Sequence, residues 1–158
     1  MTSTAHPMYR PRNAADVTVI RVGAALIIRD SSDRILMERR SDCGLWGFVG
    51  GRVDAGETIE QAATREAFEE TGLEIQVDRL LGIYSGIENR VVTFPDNVVQ
   101  LVDVVMTASI LSGELTRSHE SEALQFFALD DLPPQDSIVP PAWQPLDDYQ
   151  HKRDSLLR

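Results

Sequence analysis

The sequence predicts one mixed domain, an α+β or α/β sandwich with strands on both sides of a single strong helix and a final helix near the end. Three observations predict it. Runs rich in Val and Ile recur at 17–29, 34–40, 74–85 and 98–110 and read as strands. A capped segment at 59–71 is the one clear helix between them. The 158 residues suffice for one globular domain and are too few for two of ordinary size.

The elements follow in order. The opening, MTSTAHPMYRPRN, reads as a loose, polar, proline-punctuated arm without the charged-then-apolar pattern of a signal peptide, so 1–15 are set apart from a domain spanning 16–158. VTVIRVGAALIIR at 17–29 reads as one long strand, or two with a bend near Gly23. DSSD is turn chemistry, and RILMERR at 34–40 reads as the returning strand of a hairpin. SDCGLWG is a loop, and FVGGRV at 48–53 is a short strand whose two glycines let the backbone approach something closely. Thr58 and Gln61 stand at capping-box spacing, and Gly72 is the expected left-handed stop. Ile59, Ala62, Ala63 and Phe68 supply the side of the helix expected to pack, although Ala67 blurs the stripe. Strands at 74–85 and 98–110 flank GIENRVVTFPDN, read as strand ends around a loop. ALQFFAL at 123–129 is a last strand, DDLPP a short helical turn stopped by proline, and 142–157 a final helix.

Composition excludes some partners. A net charge of −10 disfavours diffuse binding to nucleic acid or an anionic membrane. No apolar run approaches the roughly 20 residues of a membrane-spanning helix. Cys43 is the only cysteine, which fits a reducing cytosol, and without a nearby histidine it reads as a loop or packing residue.

The chemistry concentrates between Gly51 and Leu73. Glu66, Glu69 and Glu70 stand at i, i+3 and i+4 and share one helical face. Each like-charged pair at that spacing costs about 0.2–0.5 kcal/mol unless something positive neutralises it. A divalent ion is the obvious candidate, because Mg²⁺ prefers oxygen ligands and usually takes one or two carboxylates plus substrate phosphates. The plain alternative for an E-x-x-E-E run is a solvated helix face.

Gly51, Glu57, Arg65, Glu66, Glu69, Glu70 and Gly72, taken together, resemble the Nudix box: G, five residues, E, seven residues, R-E, an aliphatic residue, any residue, E-E, any residue, G, an aliphatic residue. Every fixed position is matched, with Ala67 and Leu73 in the aliphatic slots. The resemblance extends over about residues 17–134, through LWGFVGG and ESEALQFFALDDLPP. It departs at Val49, where the family often has proline. It implies a Nudix α/β/α sandwich, a mixed sheet flanked by helices, and a cytosolic hydrolase cleaving a pyrophosphate bond in a nucleoside diphosphate linked to some group X. It implies that Glu66, Glu69 and Glu70 hold Mg²⁺ or Mn²⁺, with one of them open as the base toward water, and that the carbonyl of Gly50 completes the site. Glu57 and Arg65 would form an orienting ion pair, leaving Glu60 outside the pattern. Some relatives take a further carboxylate from a distant loop; Glu120 is the candidate here and Glu122 the second. His119 beside them is a weaker acid–base candidate. A homodimer is common in the family.

For the substrate, Arg39, Arg40 and Arg52 are placed to meet phosphate oxygens, and Tyr84, Phe94 and Phe127 are candidates to stack on a base, although strand aromatics are more often core. The box does not name X. The competing readings are a catalytically silent nucleotide-sensing module and a Nudix-fold isomerase of diphosphate-bearing lipids. The complete glutamate set argues against the first, and the lack of extra cysteine or histidine machinery against the second.

Overall fold

The computed structural model describes residues 6–10 and 12–158. The rest of the expected arm, 1–5 and 11, lies outside the described residues. The strands are β1 (Val19–Arg29), β2 (Ile35–Arg40), β3 (Trp46–Gly47), β4 (Val49–Arg52), β5 (Leu73–Tyr84), β6 (Val91–Thr93), β7 (Val98–Gly113), β8 (Ser121–Phe127) and β9 (Leu156–Leu157). The helices are α1 (Ile59–Thr71), α2 (Ile87–Arg90) and α3 (Pro140–Gln150). The strands form one mixed sheet with β3-β2-β1-β7-β5-β9 as its main path; β4 joins at β1, β6 at β7 and β8 at β2. β1 and β7 pair in parallel along the whole of β1, which requires the long crossover through α1 and β5.

Alternation along β1 divides the core into two layers. Ala24, Leu26 and Ile28 pack against Ala62, Ala63 and Ala67 of α1. Ile27 on the opposite face packs with Val105, Ala142 and Leu146, the last two from α3. The result is the α/β/α sandwich. No helix among the described residues is long and apolar enough to cross a membrane.

Helix α1 runs over the expected residues. Thr58 accepts from the Gln61 amide at 3.1 Å and the Gln61 side chain accepts from the Thr58 amide at 2.8 Å, closing the capping box. Gly72 ends the helix in the left-handed region at φ 72°. Thr58→Ala is expected to cost about 1 kcal/mol; a urea titration reads this as a lower midpoint at unchanged slope, and an unmoved midpoint would refute the cap.

The packing face differs from expectation. Ala67 is fully buried, whereas Phe68 is 56% exposed. Small residues let α1 sit close to the sheet, and Phe68, one position on, turns outward. The same geometry puts positions 62, 66 and 70 on one inward row, so the helix that packs through alanine also drives Glu66 and Glu70 toward the sheet.

Other expectations are corrected. The β1–β2 hairpin pairs only at Arg29↔Ile35, because β4 occupies β1 at Gly23–Leu26 and β2 diverges to β3 and β8. β1 is continuous through Gly23. GIENRVVTFPDN contains a one-turn helix and strand β6. The 3-10 turn near DDLPP follows the prolines, at Gln135–Ser137. Within the expected loose arm, Pro7–Tyr9 form a 3-10 turn whose Tyr9 packs against the α3-side core. The final helix starts at Pro140 and stops at Gln150, and the chain ends on β9 beside β5. Pro145 inside α3 has no N–H for the carbonyl of Pro141. That carbonyl instead accepts from Nη2 of Arg90 at 2.6 Å.

Candidate active site

Strand β4 and helix α1 meet at two glycines. A Cβ on Gly51 would collide with the Glu66 carboxylate. Gly50 has φ 149°, and its Cβ would strike the backbone of Ala24 and Ala25. Glycine at both positions lets the strand lie against the carboxylates, and the Gly50 amide donates to Glu70 Oε2 at 2.9 Å.

Along the helix the three glutamates differ in burial. Glu70 is enclosed, the Glu66 side chain is 15% exposed and that of Glu69 is 58% exposed. Arg65 beside them uses its whole fork. Nε and Nη2 donate to the two oxygens of Glu57 at 2.6 and 2.9 Å, Nη1 to Glu66 at 2.8 Å and Glu69 at 3.3 Å, and Nη2 also to the Arg52 carbonyl at 3.2 Å. Glu57 further accepts from the Asp54 amide at 3.0 Å, which ties the entry loop to the helix. Glu60 sits exposed in the first turn.

Hydrogen bonds from Arg65 hold the Glu57 carboxyl down at about 2. The pair therefore contributes its full stability above the ordinary glutamate range and loses it as pH falls through about 2. Carboxyl NMR is expected to show this low midpoint and its return above about 4 in Arg65→Met. An ordinary midpoint in the unmodified chain would refute the pairing.

The loop before β8 closes the other side. Ser41 donates through its amide and hydroxyl to the Glu120 carbonyl at 2.9 and 2.8 Å, and Ser121 donates to buried Glu38. A cleft of about 470 Å³ results, lined by Glu66, Glu69, Glu70, Gly50, His119 and Glu120 among others. His119 is almost fully exposed at its rim. Glu122 points elsewhere and pairs with Arg39 at 2.7 Å.

The cleft is short of positive charge where it is most buried. Burial, with Glu38 and Glu66 nearby, pushes the Glu70 carboxyl up to about 9. Burial also raises Glu66 and Glu38. Arg65 reaches Glu66 and Glu69 but not Glu70. Among the described residues no group of three His, Cys, Asp or Glu side chains is arranged to hold a metal ion as it stands. Carboxylate oxygens are the inner donors of the cleft, and Glu70 among them lacks a paired cation, a chemistry that fits Mg²⁺ or Mn²⁺, since Mg²⁺ completes its shell with water and substrate phosphates.

A second cavity, about 240 Å³, lies across the β4 wall and shares Arg40, Gly50, Gly51 and Arg52 with the cleft. Its floor is the register Arg21↔Leu101, Gly23↔Asp103, Ala25↔Val105. Tyr9, Phe48 and Phe94 stand among its walls, with Arg21 stacked on Phe94 at 5.3 Å.

The expected substrate residues separate on this map. Arg40, held by Asp42 at 2.7 and 3.0 Å, and Arg52 face both cavities. Arg39 faces neither, because alternation along β2 turns it to Glu122. Tyr84 is corrected to a core residue: it is fully buried, its hydroxyl donates to Asp148 at 3.0 Å and Arg90 stacks on its ring at 5.0 Å. Phe127 is also core, edge-on to Trp46, and Phe94 alone of the three aromatics reaches a cavity. Burial pushes the half-buried Cys43 thiol up, away from nucleophile chemistry. The sequence expectations omit Glu38, Asp103 and Arg90; for the two acids the available signal is a lone acid within an apolar strand, as in ILMER and QLVDVVM.

Comparison with known proteins decides the family. The model of the NUDIX domain matches residues 19–149. The chain belongs to the NUDIX domain family. This Nudix chain is 33% identical over 109 residues to the ADP-ribose pyrophosphatase of Methanocaldococcus jannaschii, covering 68% of the chain and 61% of that relative. It thus spans less than two thirds of that protein's length. It is 34% identical over 125 residues to a MutT-like protein of Streptomyces ambofaciens, covering 79% and 75% of the two chains. Among solved structures, a MutT NUDIX hydrolase from Burkholderia pseudomallei superposes with a TM-score of 0.65 at 33% identity, covering 82% of this chain and 97% of that one. The Nudix α/β/α fold expected from the box is the fold observed.

Proposed function

We propose that this Nudix chain hydrolyses the phosphoanhydride bond of a nucleoside diphosphate linked to a group X, a nucleotide-like small molecule. One observation carries the reading: Glu66, Glu69, Glu70 and Glu120 line one cleft with Gly50, and burial disfavours the anionic form of the innermost carboxylates until a cation joins them. The names of the relatives, an ADP-ribose pyrophosphatase among them, support the same chemistry.

In this proposal Glu66, Glu69, Glu70 and Glu120, with the Gly50 carbonyl, would hold Mg²⁺ or Mn²⁺. Such an ion would supply charge neutralisation on phosphate oxygens and a lowered pKa of water. The residues of the chain do the rest. Arg65, clamped by Glu57, fixes the rotamers of Glu66 and Glu69. Arg40 and Arg52, on the wall between the two cavities, meet phosphate oxygens of a substrate lying across it. One of the three helical glutamates takes the proton of the attacking water. The water oxygen bonds to phosphorus, the bridging P–O bond breaks, and its electron pair leaves with the departing phosphate. A cytosolic location and a homodimer belong to the same proposal; light scattering on the purified chain tests the dimer.

A panel of nucleoside di- and triphosphates, sugar nucleotides and dinucleotides with Mg²⁺ tests the reading. Release of phosphate, pyrophosphate or a nucleoside monophosphate is expected for at least one class. Tight binding without turnover across the panel would replace the hydrolase with a sensing module.

A further inference from the structure

We infer that Asp103 is the base-reading residue of this chain, and that the nucleoside it selects carries a guanine-type edge, with two adjacent N–H donors. The inference rests on the reading of the carboxylate cleft as the diphosphate site, since the cavity holding Asp103 opens across the shared Gly50–Arg52 wall.

Asp103 is an acid in the middle of an apolar strand. Its neighbours on the same face, Leu101 and Val105, are apolar, so within the fold its one structural task is to face the buried Arg90. Its side chain is 14% exposed, at the cavity floor. Among the described residues the only cation on it is Arg90, with Nε 3.3 Å from Oδ2, too poorly aligned to make a hydrogen bond. No other side chain or backbone amide among the described residues donates to Asp103. Its register partner is Gly23, and a Cβ there would stand 2.7 Å from Oδ1. The glycine thus keeps room around a carboxylate that lacks aligned donors.

Such a group gains most from a ligand that brings N–H donors. Burial raises the Asp103 carboxyl and so disfavours its anion in the empty cavity; N–H donors restore the ionised form, which only accepts and whose two oxygens suit two neighbouring donors. The guanine edge presents ring N1–H beside the N2 amino group. Adenine pairs its amino donor with a ring lone pair, which the carboxylate repels. Uracil flanks its one N–H with two carbonyls, and cytosine sets its amino group beside a ring acceptor. Tyr9, Phe48 and Phe94 give the cavity aromatic walls suited to the flat faces of a base.

The test is calorimetric binding of the α,β-methylene diphosphates of guanosine, inosine and adenosine to the full chain with Mg²⁺; these ligands need no turnover. The guanosine compound is expected to bind about tenfold tighter than the other two, inosine lacking the amino group. Asp103→Asn offers one acceptor and one donor and is expected to remove the guanosine preference and favour adenosine. Gly23→Ala pushes the carboxylate aside at unchanged charge and is expected to reduce the preference as well. Melting curves accompany each variant, and Gly23→Ala decides the matter if Asp103→Asn does not fold. No binding, binding without base preference, or a guanosine preference that survives both substitutions would overturn the inference. A preserved preference with no hydrolysis in a separate assay would remove the hydrolase reading and leave this one standing.

Discussion

Glu70→Gln is expected to lower turnover by about 10²–10⁴-fold while leaving the fold intact. Glu70 is 5% exposed, and among the described residues the one hydrogen bond holding its side chain comes from the Gly50 amide at 2.9 Å. Glutamine keeps an oxygen that can accept that bond, so packing is preserved. What it removes is the negative charge beside Glu66 in the cleft. In the substrate-free chain that charge is a burden, because burial disfavours it and Glu38 and Glu66 lie nearby. The substitution is therefore expected to leave thermal stability unchanged or slightly raised as activity falls. That split separates a ligand or base from a packing residue, for which activity and stability fall together. Glu69→Gln is expected to follow the same direction. Unmodified activity in both single variants would end the metal-site assignment. Steady-state kinetics and a melting curve on the same preparations are sufficient.

Arg90→Met is expected to produce the largest loss of stability, about 3–5 kcal/mol. For a chain of this length that is a fall of roughly 6–20 °C in melting temperature. Arg90 is 1% exposed and performs three tasks at once. It faces Asp103, stacks on the Tyr84 ring and caps the Pro141 carbonyl that Pro145 leaves without a donor. Methionine replaces much of the apolar contact but strands a buried acid and a carbonyl. Adding Asp103→Asn to Arg90→Met is expected to recover part of the loss, since the stranded charge is removed with its partner. Calorimetry on the single and double variants measures both terms. A loss under about 1 kcal/mol in Arg90→Met would mean that water or a neighbouring group satisfies Asp103.

How much of this was legible in the sequence depends on how local the cause is. Helix α1 was legible to the residue because its signals are neighbours: Thr58 with Gln61 at one end, Gly72 at the other. The glutamate face followed from helical spacing alone. Which side of that helix packs was less legible, because Ala67 and Phe68 compete. The outcome was set by how close the sheet lies, which no local pattern states. Tyr84 was misassigned for a similar reason. A tyrosine on a strand looks alike whether its hydroxyl meets a ligand or, as here, a buried aspartate brought from α3. Glu38 and Asp103 were present as anomalies in apolar runs, but their partners, Ser121 and Arg90, come from other elements. Pro145 in a helix also reads as a defect until the fold brings a guanidinium to the carbonyl it leaves unpaired.

In the proposed reaction water attacks a phosphoanhydride bond in the cleft formed by Glu66, Glu69 and Glu70. Its most direct test is hydrolysis of the best nucleotide of the panel in ¹⁸O-labelled water with Mg²⁺, read by mass spectrometry of the products. One labelled oxygen is expected on a phosphate-bearing product, with the yield of labelled product abolished by chelation and cut at least about 100-fold in Glu70→Gln. Products without label, or labelling that continues undiminished in Glu70→Gln, would contradict it.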